Sequence, residues 1–215
     1  MISILCYGDS NTWGYDPATG NRFPKHQRWP GVMQEALGSG YDVIAEGLNG
    51  RTTIWDDPTD FDPDGFARNG QKHLIQCLNS HMPLDLVIVY LGTNDLKRRL
   101  ALSAYDISSG ASVLVSMVQA STFGREGRAP NLLLVCPPPL APLSGTPFEP
   151  IFNGGESKSR DLHEHYKNVA DTKNVPLVNA GEFVENSPID GIHHSELGHE
   201  RLGNAIATKI QQLML

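Results

Sequence analysis

The chain has 215 residues, 40% of them hydrophobic, and 24 acidic side chains against 17 basic ones give a formal net charge of −7. That length fits one domain spanning residues 1–215 with a sizeable buried core. An acidic chain with scattered Lys and Arg lacks the basic footprint that nucleic acid or an anionic membrane surface requires, and no apolar run approaches the roughly 20 residues of a membrane span.

Taken in order, residues 2–7 form an apolar run that reads as a strand and leads directly into the small-residue turn Gly8-Asp9-Ser10-Asn11. Residues 29–37 read as a helix that stops at Gly38, and residues 41–46 as a second strand. A helix over 69–80 carries Leu74, Cys77 and Leu78 on one face. Residues 84–91 are apolar almost throughout and end in Gly92, which suits a strand covered on both faces. A long helix over about 104–123 places Ile107, Ala111, Leu114 and Val118 at helical spacing. A fourth strand over 132–136 stops at three prolines, a helix spans 157–171, and a short fifth strand spans 176–179. The last helix starts near the N-cap Ser195 and turns Leu202, Ile206, Ile210 and Leu213 inward.

This alternation predicts an α/β fold, with a central parallel sheet of five strands and helices on both faces. In such sheets ligands sit at the C-terminal strand ends. Ser10, Gly50 and Asn94 each follow a predicted strand, so the topology brings them to one edge of the sheet. Two long irregular stretches, 56–68 and 137–155, are expected to wall the site and to contribute subunit contacts. The cysteines, Cys6, Cys77 and Cys136, are odd in number and far apart, without metal-type spacing. They read as free thiols of a reducing compartment. The N-terminal stretch lacks the basic start, apolar region and cleavage site of a signal peptide, so the expected location is cytoplasmic.

Four blocks, Gly8-Asp9-Ser10-Asn11, Gly47-Leu48-Asn49-Gly50, Gly92-Thr93-Asn94-Asp95 and Asp190-Gly191-Ile192-His193, together resemble the SGNH hydrolase (GDSL esterase) superfamily. That family's signature serine, glycine, asparagine and histidine fall on Ser10, Gly50, Asn94 and His193. The runs 47–53, 57–60, 83–88 and 137–142 look like its bacterial arylesterase/acyltransferase branch. The resemblance implies a flavodoxin-like three-layer α/β/α sandwich and a serine esterase acting on short-chain esters, aryl esters included, with acyl transfer to alcohols as a second outcome. It also implies a homo-oligomer.

The resemblance implies a nucleophile at Ser10, a general base at His193 and an orienting Asp190 three residues earlier, and it selects His193 over its neighbour His194. A lone turn serine is a poor nucleophile, so the assignment needs all three. The oxyanion hole would combine the backbone N–H groups of Ser10 and Gly50 with the Asn94 amide. Trp13, Tyr15, Phe148, Ile151, Phe152 and Ile192 are candidates for an apolar pocket, with packing in the core or in a subunit interface an equal alternative for Phe148 and Phe152. Asn11 stands where the namesake motif has leucine, which would make the pocket mouth more polar. Asp9 and Asp95 are expected to brace loops through backbone N–H groups. No metal site is expected, because the spacing of His163, His165, His193, His194 and His199 matches no strong zinc pattern and they read as surface residues. No phosphate loop or dinucleotide fingerprint occurs, so no organic cofactor is expected. The competing readings are a carbohydrate acetylesterase, an acyl-CoA thioesterase served by Lys97, Arg98 and Arg99, and a binding module that has lost catalysis.

Overall fold

The computed structural model describes residues 1–59 and 68–213; most of the first irregular stretch expected to wall the site, residues 60–67, lies outside them. In chain order the elements are β1 (Ile2–Gly8), α1 (Ser10–Trp13), α2 (Trp29–Leu37), β2 (Tyr41–Gly47), α3 (Gly70–His81) and β3 (Leu86–Tyr90). They continue with α4 (Ala104–Gln119), β4 (Asn131–Cys136), α5 (Glu149–Phe152), α6 (Gly155–Lys173), β5 (Leu177–Asn179) and α7 (Glu196–Leu213).

The five strands form one all-parallel sheet in the order β2-β1-β3-β4-β5. Alternation along β1 shows why it is apolar at consecutive positions. Ile4 and Cys6 face a layer built from Trp29 and Met33 of α2 and Leu202, Ile206 and Ile210 of α7. Leu5 and Tyr7 face Leu74 and Leu78 of α3, Ile107 and Leu114 of α4, and Leu162 and Tyr166 of α6. Both faces are thus covered, and the fold is the three-layer α/β/α sandwich that the sequence resemblance implied. The chain order reverses direction across the sheet between β1 and β3, the switch point where this topology opens a crevice.

The predicted boundaries of α2 hold to the residue. Two other boundaries shift for identifiable local reasons. The third strand is shorter than the apolar run, because Leu84 makes only an isolated bridge to Gly124 before β3 begins. Helix α4 ends four residues early, where the Ser121 hydroxyl caps the Val118 carbonyl. Its start is fixed by a capping box between Ser103 and Asp106. Helices α1 and α5, of four residues each, are too short to carry a periodic signature. Ser195 caps α7 as expected, its hydroxyl accepting from the Gly198 N–H at 3.2 Å.

Candidate active site

Ser10 opens α1, immediately beyond the C-terminal end of β1. The turn is fixed by Asp9, whose carboxylate accepts the Asn11 N–H at 2.9 Å. Tight packing dictates its small residues: a Cβ on Gly8 would lie 2.0 Å from the Thr12 hydroxyl, and one on Gly47 would lie 2.1 Å from the Trp13 nitrogen. Ser10 is therefore held on a short helix packed closely against the C-terminal ends of the paired strands β1 and β2.

The loop before α7 delivers the other two groups. His193 Nε2 lies 2.9 Å from Ser10 Oγ, and His193 Nδ1 lies 2.6 Å from Asp190 Oδ2. The other Asp190 oxygen accepts the N–H groups of Ile192 and His193, both at 2.9 Å. Burial alone would raise the Asp190 carboxyl, but its bonds to His193 and to these two N–H groups outweigh burial and hold it below the usual carboxylate range. An ionised Asp190 can only accept, so Nδ1 carries the imidazole proton and Nε2 is left to take one from Ser10. The Tyr15 ring lies against the His193 imidazole, centroids 4.2 Å apart, and Phe148 meets it edge-on at 5.7 Å.

The other signature residues lie on adjoining loops. Gly50 sits in a turn after β2 with φ +78°, a backbone state that favours glycine. Arg51 locks this turn to the strand ends, donating to the carbonyls of Gly8 (2.8 Å) and Glu46 and lying over the Tyr7 ring. Asn94 follows β3 and donates one amide N–H to the Arg51 carbonyl at 3.2 Å. Asn94 also lines the cavity, and its amide carries a second N–H beyond the one given to Arg51. Asp95 ties the same two loops together, accepting from the Thr53 N–H at 3.1 and 3.0 Å and from the Thr53 hydroxyl at 2.5 Å. Burial pushes the Asp95 carboxyl up to about 7 and that of Asp9 to about 6, against the pull of these bonds. Both aspartates accept backbone N–H groups and lie outside the cavity lining.

A cavity of about 230 Å³ opens over Ser10, Gly50, Asn94 and His193. Tyr15, Phe148, Ile151, Phe152 and Ile192 form its apolar wall. Phe152 is both wall and core, being 2% exposed and packed among the buried residues of the α4–α6 layer. This removes it from any subunit contact. Trp13, expected in the pocket, is not part of the lining; its ring lies under the Arg22 guanidinium, 4.8 Å from the centroid. Two further expectations change. His194 and His199 are fully buried rather than on the surface, because the base-bearing loop and α7 pack against α2 and β3. His194 bonds Tyr90 at 2.8 Å and Asn186 at 3.0 Å, and His199 accepts the Trp29 N–H at 3.3 Å. Asn11 likewise does not reach the pocket mouth; it is buried beneath the base-bearing loop.

The polar rim of the cavity, Asn49, Arg68, Lys97 and Arg99, was not expected as a unit. Asp57 organises part of it, bonding Lys97 at 2.9 Å and Arg99 at 2.6 Å, a contact across about forty residues that no local pattern signals. These bonds overcome burial and keep the Asp57 carboxyl far below the usual range.

A serine, an imidazole and a carboxylate in hydrogen-bonded series, at the sheet edge beside a small cavity, are what a serine hydrolase of α/β architecture requires. The chain belongs to the GDSL-like lipase/acylhydrolase family, whose model matches residues 6–201, and it is an ester hydrolase. It is similar to the solved structure of Est24, a carbohydrate acetylesterase from Sinorhizobium meliloti (44% identity, 99% of this chain and 100% of that one, TM-score 0.93). It is also similar to the aryl esterase of M. smegmatis (43%, 99% and 100%, TM-score 0.91). A carbohydrate acetylesterase family member from Sinorhizobium meliloti matches at 37% identity, over 100% of this chain and 99% of that one, with TM-score 0.93. No curated protein matches the chain significantly.

Asn94→Ala is expected to lower kcat by about 100- to 1000-fold with little change in KM, because an oxyanion donor strengthens its bond only in the transition state. Steady-state kinetics check this; a loss confined to KM would remove Asn94 from the oxyanion hole.

Proposed function

We propose that the protein is a serine esterase that cleaves short-chain, acetyl-type esters through an acyl-Ser10 intermediate. The Asp190–His193–Ser10 series, with its 2.6 and 2.9 Å contacts, carries this reading. His193 Nε2 takes the Ser10 proton as Oγ bonds to the ester carbonyl carbon. The oxyanion collects at the N–H groups of Ser10 and Gly50 and at the Asn94 amide. Collapse breaks the bond to the leaving oxygen, which receives the proton from His193. Water, deprotonated by His193, then attacks the acyl-enzyme and releases the acid and free Ser10. An alcohol in place of that water gives acyl transfer.

The cavity volume of about 230 Å³ supports a small acyl group, since pockets for drug-sized ligands run from about 300 to 1,000 Å³. Hydrolysis of the 4-nitrophenyl esters tests this. Acetate is expected to turn over fastest, with octanoate slower by about tenfold or more; equal or rising turnover with chain length would sink the small-acyl reading.

The rim of Asn49, Lys97 and Arg99 supports a second reading, in which the leaving alcohol is a sugar. Larger kcat/KM on an acetylated sugar than on phenyl acetate would favour it. The thioesterase reading is weaker, because Asp57 offsets much of the charge on Lys97 and Arg99. The three cysteines stay free, two of them buried, which supports a reducing, cytoplasmic location. No helix among the described residues is long and apolar enough to cross a membrane.

A further inference from the structure

Asn11, the residue next to the nucleophile, is 1% exposed, and its side chain turns away from the cavity. Its Nδ2 donates to the Ile192 carbonyl at 3.3 Å, and its Oδ1 accepts from the His194 N–H at 3.1 Å. Those two groups belong to the peptide bonds immediately before and after His193. One planar carboxamide therefore grips both peptides that flank the imidazole. The side-chain type is demanding: a carboxamide presents a donor and an acceptor at one end, a carboxylate presents acceptors alone, and leucine presents neither.

The grip is rigid at both ends. On the α1 side, the Asn11 N–H is held by Asp9 at 2.9 Å, so its backbone moves with that of Ser10. On the loop side, the His193 carbonyl accepts the Ser187 N–H at 2.8 Å, and the His194 ring is pinned between Tyr90 and Asn186. Ser10 and His193 come from opposite ends of the chain, 183 positions apart, and the Asn11 bonds are a direct tie between their two backbones. A functional pair has to be held within about 0.5 Å of its working geometry.

We propose that Asn11 is a positioning residue that locks the base-bearing loop onto the nucleophile turn and so sets the separation of Ser10 Oγ from His193 Nε2. The proposal rests on the esterase reading above. Asn11→Leu tests it, because the side chain keeps its size and loses both bonds. With 4-nitrophenyl acetate, kcat is expected to fall about 100-fold while KM stays within about twofold, the scale of a small misplacement of reacting groups. The downfield proton resonance of His193 Nδ1–H, bonded to Asp190, is expected to shift or broaden while near-UV circular dichroism stays unchanged. A kcat within about threefold of the parent, a loss confined to KM, or a fall in kcat with an unaltered His193 resonance would each overturn the proposal. Asn11→Ala is read in the same way should the leucine variant not fold. In the unmodified protein the His194 amide is expected to exchange with solvent as slowly as the amides of β1, and fast exchange overturns the clamp whatever the variants do. Full turnover in Ser10→Ala would sink the esterase reading itself, whereas an inactive Ser10→Ala beside a normal Asn11→Leu would sink the clamp alone.

Discussion

Ser10→Ala is expected to reduce kcat on 4-nitrophenyl acetate by about 10⁶-fold, the loss seen when the nucleophile of a hydrogen-bonded triad is removed. The substitution deletes one oxygen, and its described hydrogen bond is the 2.9 Å contact to His193. Ser10 is 6% exposed and borders the cavity, so water can meet the abandoned Nε2 and the folded state loses little. Alanine also suits the first position of α1, so the melting temperature is expected to stay within about 3 °C of the parent. The rest of the site survives: the Gly50 turn and the Asn94 amide depend on hydrogen bonds among Arg51, Asp95 and Thr53 that do not involve the Ser10 hydroxyl. Residual catalysis of about 10³- to 10⁴-fold over water is therefore expected from oxyanion contacts and binding. Kinetics on the purified variant, with mass spectrometry after organophosphate treatment, check both parts. Labelling of the parent and not of the variant is expected. A variant that keeps more than about a tenth of the parent rate would mean that His193 activates water directly and no acyl-serine forms.

The elements that carry the site could be read from the chain because each has a strong local signal. The run before Ser10 is apolar at consecutive positions, as a doubly covered strand must be, and the small residues after it leave room for α1 to fold back against the strand end. The alternation of strand and helix then dictates that Ser10, Gly50 and Asn94 share one edge, without knowledge of any contact. What stayed hidden depends on pairs far apart in the chain. Asp57 meets Lys97 and Arg99, Asp95 meets Thr53, and Asn11 meets Ile192 and His194. In the chain each of these is an ordinary loop residue. Asn11 is the sharpest case: its polarity suggested a wet pocket mouth, whereas the structure spends that polarity on two buried peptide groups. The burial of His194 was hidden because packing around a loop leaves no period to detect, whereas His199 stands three residues before Leu202 on the inward stripe of α7, a spacing that does signal burial. Trp13 was misplaced because closeness in sequence to Ser10 is not closeness in space: α1 turns its ring outward, under Arg22.

Asp190→Asn is expected to cost about 10⁴-fold in kcat although nearly every contact is retained. The amide oxygen can still accept the N–H groups of Ile192 and His193, so the loop keeps its shape. The change falls on the other atom, where an oxygen that accepts from His193 Nδ1 at 2.6 Å becomes an NH₂ that must donate. Nδ1 is then the acceptor, the imidazole proton moves to Nε2, and the nitrogen facing Ser10 can no longer take the hydroxyl proton. KM is expected to change little, since the substrate does not touch Asp190. Stability carries an independent signature. The Asp190 carboxyl is held below its ordinary value in the folded protein, so between the folded and unfolded values the unfolded chain binds more protons and stability rises with pH. That contribution is present above the unfolded value of about 3.9 and fades as pH falls through the lowered folded value. The variant lacks it, so its melting temperature should lie below the parent's at neutral pH and converge on it in acid. A kcat above about a tenth of the parent's would remove Asp190 from the triad. A melting difference that widens on acidification would show that the carboxylate is not the charged partner its hydrogen bonds describe.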